Sequence, residues 1–148
     1  MKLERVTAAT IGEWVALRQA LWPEAPKDEL ADQAAELLKK ESAAVAFLLR
    51  DVTNAVAAFA EATIRVDYVN GCSTSPVAFL EGIYVRPERR RRGATRLLCH
   101  AVEAWARQQG CRELASDANI ENAISHLMHE ALGFRESERV VCYHKRID

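Results

Sequence analysis

Two short stretches of the 148-residue chain carry side chains whose type and order could do chemistry. In PERRRRGATRLL, residues 87–98, four arginines run together and stop at Gly93. The run follows an apolar segment, VAFLEGIYV. It precedes Ala94, Leu97, Leu98, Ala101, Val102 and Trp105, which repeat at helical spacing. A strand, a glycine turn and a helix N-terminus in that order make an anion site. The first N–H groups of the helix are unpaired and lie at the positive end of its dipole. Gly93 lets the backbone approach a ligand closely, and arginines add paired donors suited to phosphate oxygens. A solvated basic loop has the same composition, so the run alone leaves both readings open. The second stretch is the apolar segment itself, which Glu81 interrupts. An unpaired charge inside such a strand is costly. Glu81 therefore either pairs internally, with Arg65 as the candidate, or faces a cleft and meets an amine. Gly82 beside it favours the cleft, because glycine within a strand marks a bulge or a close ligand approach.

The elements that must hold these residues follow from periodicity and turn chemistry. KLERV reads as a short strand. Thr10 and Glu13 have the spacing of a capping box ahead of a helix to about Leu21. Pro23 and Pro26 break the chain before a second helix, KDELADQAAELLKK, with Leu30, Ala34, Leu37 and Leu38 on one face. AAVAFLLR is a strand and DVTN a turn. AVAAFAEATIRVDYV is a long strand with Phe59, Glu61, Thr63, Arg65 and Asp67 on one side. NGCSTSP is a loop, and VAFLEGIYV an interior strand. The helix after the arginines runs to about Gln109, with Gly110 as its cap. CRELAS is a strand, ENAISHLMHEALGF a helix and RVVCYHK a final strand. The order is βααβββαβαβ, with room for one short extra strand before the last. This is an α/β (α+β) protein with a mixed sheet covered by helices, in one domain, 1–148. Asp117 follows the strand CRELAS, and ligands in open α/β sheets sit at the carboxyl ends of strands. An N-cap or Asx-turn is its rival role.

Composition excludes several classes. Twenty basic residues face 21 acidic ones, for a net charge of −1, so no basic face for nucleic acid is expected. No apolar stretch approaches the ~18 residues of a membrane span, and MKLERVTAATIGEW has no apolar signal core. Cys72, Cys99, Cys111 and Cys142 are scattered without a C-x-x-C pair, as expected of reduced thiols in a cytoplasmic protein. His100, His126, His129 and His144 form no metal spacing with them, and no metal is expected.

The pattern V-x-P-x-x-R-x-x-G after an apolar strand resembles motif A of the GNAT superfamily of N-acetyltransferases. There, Gln/Arg-x-x-Gly-x-Gly/Ala holds the pyrophosphate of acetyl-CoA. Here it falls on Arg90, Arg91, Arg92, Gly93, Ala94 and Thr95, with Thr95 standing where Gly or Ala is usual. The blocks LWP, TIRVDYVNG, SPVAFLEGIYV, GCRELASD, ENAIS and ALGFRESER are similar to those of the aminoglycoside 6'-N-acetyltransferases, in the same order from Leu21 to Lys145. The resemblance implies a GNAT fold, with a central, mixed, mostly antiparallel sheet flanked by helices. It implies acetyl-CoA as co-substrate, held by Ile83, Tyr84, Val85, Arg90, Arg91, Arg92, Gly93, Ala94, Thr95, Arg96 and Asn122. It implies an aminoglycoside acceptor contacted by Trp22, Tyr68, Glu81, Asp117 and Glu138. Asp117 would take the proton of the attacking amine, with Glu81 beside it. Tyr143 would protonate the departing CoA thiolate. A homodimer is also implied.

Read without the resemblance, Trp22 ends a helix in the core, Tyr68 packs across strands, Asn122 caps a helix and Tyr143 packs on a strand. A polyamine or peptide N-terminal acetyltransferase would share the cofactor half. A CoA-binding regulatory module would lack the acceptor acids. An RNA-binding protein would need aromatic motifs that are missing here.

Overall fold

The computed structural model describes residues 1–148, which divide into two compact units, Met1–Asp117 and Ala118–Asp148. The first unit holds a five-stranded sheet: β1 (Lys2–Arg5), β2 (Ala44–Arg50), β3 (Val56–Arg65), β4 (Val77–Val85) and β5 (Leu114–Ser116), in that spatial order. Neighbours from β1 to β4 are antiparallel, and β5 runs parallel to β4. β4 thus lies between two strands, as its nearly unbroken apolar sequence requires.

Helices α1 (Ile11–Leu21) and α2 (Lys27–Lys39) pack on each other and on the sheet. Trp14, Val15, Leu17 and Ala34 meet Ala46, Leu48 and Phe59 in one buried cluster. Helix α3 (Ala94–Gln108) packs against β2, β3 and β4 through buried Leu98, Val102 and Trp105. Strand alternation turns Ala58, Ala60 and Ala62 away from the face that carries Phe59. All three are buried, and their short side chains leave room for bulky helix residues. Leu17 and Leu98 are fully buried, and truncating either to alanine costs about 2–5 kcal/mol.

Several elements differ from the sequence expectation. The Thr10–Glu13 capping box does not form. Thr10 Oγ1 instead accepts from the Thr7 N–H at 3.0 Å, and both Glu13 carboxylate oxygens take Arg50, at 2.7 and 2.9 Å. β3 stops at Arg65, where its partner β4 begins at Val77. Beyond that pair neither chain has a neighbour to extend against. β5 is only three residues long because it pairs with Ala78, Phe79 and Leu80 alone.

In the second unit, α4 (Ala123–Ala131) is shorter than expected, and Gly133 stands just beyond its end at φ 92°. The final strand expected at residues 139–145, and the optional one before it, are not formed. Residues 134–148 contain neither helix nor strand. Val140, Val141 and Tyr143 have strand-forming side chains, yet they are 62%, 75% and 92% exposed. Such propensity measures fit to a half-buried sheet surface, and here no strand pairs with the segment.

Candidate active site

A bulge in β4 builds the centre of the site. Gly82 pairs with Glu61 and Leu80 with Ala62, so Glu81 is an extra residue between two successive pairs. A bulge re-aims its side chain and bends the strand. Glu81 Oε1 accepts from Thr63 Oγ1 at 2.7 Å and from Arg65 Nη2 at 2.9 Å. The Arg65 guanidinium lies 3.5 Å from the centre of the Phe79 ring. Glu81 is therefore paired with Arg65, as one of its two sequence readings expected, and its side chain remains 30% exposed.

Gly82 explains the bulge's other side. A Cβ placed there would lie 2.8 Å from Trp22 Cη2 and 3.2 Å from Leu21 Cδ2. Only a glycine admits the indole so close to the strand. Trp22 also sets its ring edge-on to Phe59, with centroids 6.4 Å apart. Trp22, at the end of α1, thus lies against the strand at the residue next to Glu81.

Glu61 escaped the sequence reading as a site residue. It is 2% exposed and accepts from Trp14 Nε1 at 2.8 Å and from Arg18 Nε at 2.9 Å. The signal was present: a lone carboxylate in an alanine-rich run, and Trp14, Arg18 and Trp22 four residues apart along α1.

Asp117 is exposed and follows Ser116, which pairs with Leu80. One step further along the parallel register stand Glu81 and Asp117. β5 ends there while β4 continues to Val85, so the edge of β4 from Glu81 onward carries no strand on that side. Ile83 and Tyr84 lie on this stretch and are half-buried. Tyr68, 75% exposed, sits in the loop after β3.

The arginines are not equivalent. Arg89 pairs with Asp51, Nη2 to Oδ2 at 2.7 Å. The Thr53 hydroxyl and the Arg89 guanidinium hold the Asp51 carboxyl far below the usual carboxylate range. Arg90 Nε donates to the Val85 carbonyl at 2.9 Å, and its guanidinium sits 5.8 Å from the Tyr84 ring centre. Arg91, Arg92 and Arg96 are exposed. The backbone turns left-handed at Arg91, φ 61°, and at Gly93, φ 81°. Gly93 is the N-cap of α3, and the Leu97 N–H is the first to close back, onto the Gly93 carbonyl at 3.1 Å. The N–H groups of Ala94, Thr95 and Arg96 are thus left without helical partners. A fifteen-residue helix whose N-terminus is fringed with arginines suits the diphosphate of a CoA.

The remaining expected residues belong to the second unit. Asn122 Oδ1 accepts from the Ser125 N–H at 3.1 Å and caps α4. Glu138 and Tyr143 are exposed in the segment without regular structure.

A β4 edge left bare beyond β5, a bulge in β4 and a helix N-terminus after it are the parts that suit an acyl-CoA on a mixed sheet. The chain belongs to the acetyltransferase (GNAT) family, whose model matches residues 13–134. It is 47% identical over 147 residues to an aminoglycoside N(6')-acetyltransferase type 1 of Acinetobacter genomosp. 13, covering 99% of both chains. Among solved structures it is similar to the aminoglycoside 6'-N-acetyltransferase AAC(6')-IG of Acinetobacter haemolyticus, with TM-score 0.95, 42% identity and full coverage of both chains. It is also similar to AAC(6')-Iy in complex with the bisubstrate analog CoA-S-monomethyl-acetylneamine, with TM-score 0.93, 42% identity, and 99% and 98% of the two chains covered.

Proposed function

We infer that this acetyltransferase moves the acetyl group of acetyl-CoA to the 6'-amino group of aminoglycoside antibiotics and so inactivates them. The observation that carries this reading is the 47% identity with an aminoglycoside N(6')-acetyltransferase over 99% of both chains, joined to a carboxylate on the β4 bulge. The residues suited to hold the CoA diphosphate are the N–H groups of 94–96 with Arg91, Arg92 and Arg96. The pantetheine arm fits the open β4 edge at Ile83, Tyr84 and Val85. Acetyl-CoA brings an already activated acyl group, so what the protein must add is placement and proton removal.

The attacking amine has to be neutral. Glu81 holds the acceptor through its ammonium groups, beside the Trp22 ring. Asp117, just past the end of the neighbouring strand β5, takes the amine proton directly or through a water. Tyr68 and Glu138 contact the drug, Asn122 the cofactor, and Tyr143 returns a proton to the thiolate. The chain works as one domain, since the family match runs across both units. We read it as a cytoplasmic protein, from its scattered cysteines without a C-x-x-C pair, and as a homodimer, because Val140, Val141, Tyr143 and Ile147 are exposed apolar side chains that a second copy can cover.

The experiment is acetyl transfer to paired drugs that carry either an amine or a hydroxyl at the 6' position, read by mass spectrometry. Acetylation of the amino drug alone is expected. Equal acetylation of both removes the regiochemistry. Transfer to polyamines or peptide N-termini in preference to either drug makes the chain an acetyltransferase of another amine class.

A further inference from the structure

Arg18 and Glu61 are 4% and 2% exposed, and the chemistry above uses neither. The Glu61 carboxylate takes Trp14 Nε1–H at 2.8 Å, Arg18 Nε–H at 2.9 Å and Arg18 Nη2–H at 3.0 Å. The last two form the two-pronged fork that fixes a guanidinium in its plane. Arg18 Nη1 donates to the Leu30 carbonyl at 2.7 Å and to Gln33 Oε1 at 3.2 Å. The guanidinium is held from β3, α1 and α2 at once.

That cation lies against two indoles. Its central carbon is 5.6 Å from the Trp14 ring centre and 5.1 Å from that of Trp22. Trp22 caps the end of α1 with non-helical φ −119° and ψ 69°, so helical geometry does not orient its ring. The contacts that do are Arg18, the steeply inclined Phe59 ring and the bare backbone of Gly82. Glu61 is also the register partner of Gly82, the pair adjoining the bulge that carries Glu81. One buried charged network therefore reaches both the ring over the strand and the strand beneath it.

Stability alone is a poor reason for such a network. Well-packed apolar residues often replace a buried ion pair without loss. Apolar residues would fill the space between α1 and β3. They would supply no cation for the face of an indole.

We propose that the Arg18–Glu61 pair is a positioning device for the acceptor amine: it clamps the Trp22 ring over Gly82 and so fixes the wall beside Glu81. The proposal rests on Trp22 and Glu81 lining the acceptor site. Arg18 and Glu61 touch no substrate and act through Trp22.

A double-mutant cycle in steady-state kinetics tests this. Trp22→Leu removes the ring. Arg18→Met with Glu61→Gln removes both charges together and leaves an amide oxygen for Trp14. Each change is expected to raise KM for a 6'-amino aminoglycoside about tenfold, the scale of a desolvated cation–π contact. KM for acetyl-CoA should stay put, and all changes combined should be no worse than Trp22→Leu alone. Additive losses overturn the positioning role and leave the acceptor site where it is. So does an unmoved drug KM in the pair variant when Trp22→Leu raises it. An unmoved drug KM in Trp22→Leu overturns the acceptor-site reading itself, and the proposal with it. If the pair variant does not fold, Arg18→Lys takes its place, keeping the charge while losing the fork and the planar face. It should raise the drug KM only when Trp22 is present. An equal rise in the Trp22→Leu background overturns the proposal.

Discussion

At the scale of single residues, the closest approach in the site is the most exposed to substitution. Gly82→Ala puts a methyl group 2.8 Å from Trp22 Cη2, and the ring cannot swing away freely between Arg18 and Phe59. We expect kcat/KM for the aminoglycoside to fall about 10- to 100-fold, the scale of an ångström-sized misplacement. KM for acetyl-CoA should hold, as separate titrations of the two substrates will show. Cys99 makes a second expectation at this scale. Burial, with the Glu103 carboxylate adjacent, pushes its thiol up to about 12. Its reaction with a thiol reagent near pH 8 should therefore be negligible in the folded protein and appear only on unfolding. Rapid labelling of Cys99 without loss of structure, read by peptide mapping, contradicts this. The pairing of Glu81 with Arg65 and the irregularity beside it were legible in the sequence because a charge and a glycine break an apolar run together. Glu61 was harder to read. Its carboxylate sits among alanines, and only the packing of α1 on β3 reveals that Trp14 and Arg18 are its partners.

Among the elements, β4 and α2 were readable nearly to the residue, since an unbroken apolar run and a clear helical stripe are strong local signals. Residues 139–145 looked like a strand by the same kind of signal and are not one. A strand exists only where another strand accepts its hydrogen bonds, and that neighbour is not written in local sequence. The bulge was half legible. Gly82 announced an irregularity, but the register that makes Glu81 the extra residue depends on β3. The arginine loop depends on another element in the same way. Asp51, in the turn between β2 and β3, holds Arg89 and accepts from the Thr53 and Ala55 N–H groups. Its folded carboxyl is depressed, first by the Thr53 hydroxyl and next by Arg89. The stability it supplies is complete above the ordinary carboxylate range and is lost as the pH falls toward its folded value. Asp51→Asn should therefore lower Tm at neutral pH and make little difference in strong acid. Thermal melts of both proteins across pH will show the gap closing on acidification. A gap that widens in acid contradicts the sign.

For the whole molecule, the balance of 20 basic and 21 acidic residues gives no global field to draw in a polycation. On the proposed function, capture has to rest on local acids, and a dimer on the exposed apolar residues near the C-terminus. A dimer should sediment well above the 16.5 kDa chain at micromolar concentration. Cys142, exposed among Val140, Val141 and Tyr143, should become slower to label as the protein is concentrated. A single-chain mass with constant labelling removes the dimer. The crowding of Trp22 on Gly82 also reaches across the whole chain as a rule of descent. Positions 22 and 82, sixty residues apart in sequence, compete for one volume. A lineage that enlarges residue 82 must shrink or turn residue 22 in the same step. The two positions are sterically one unit, and neither can grow without the other giving way.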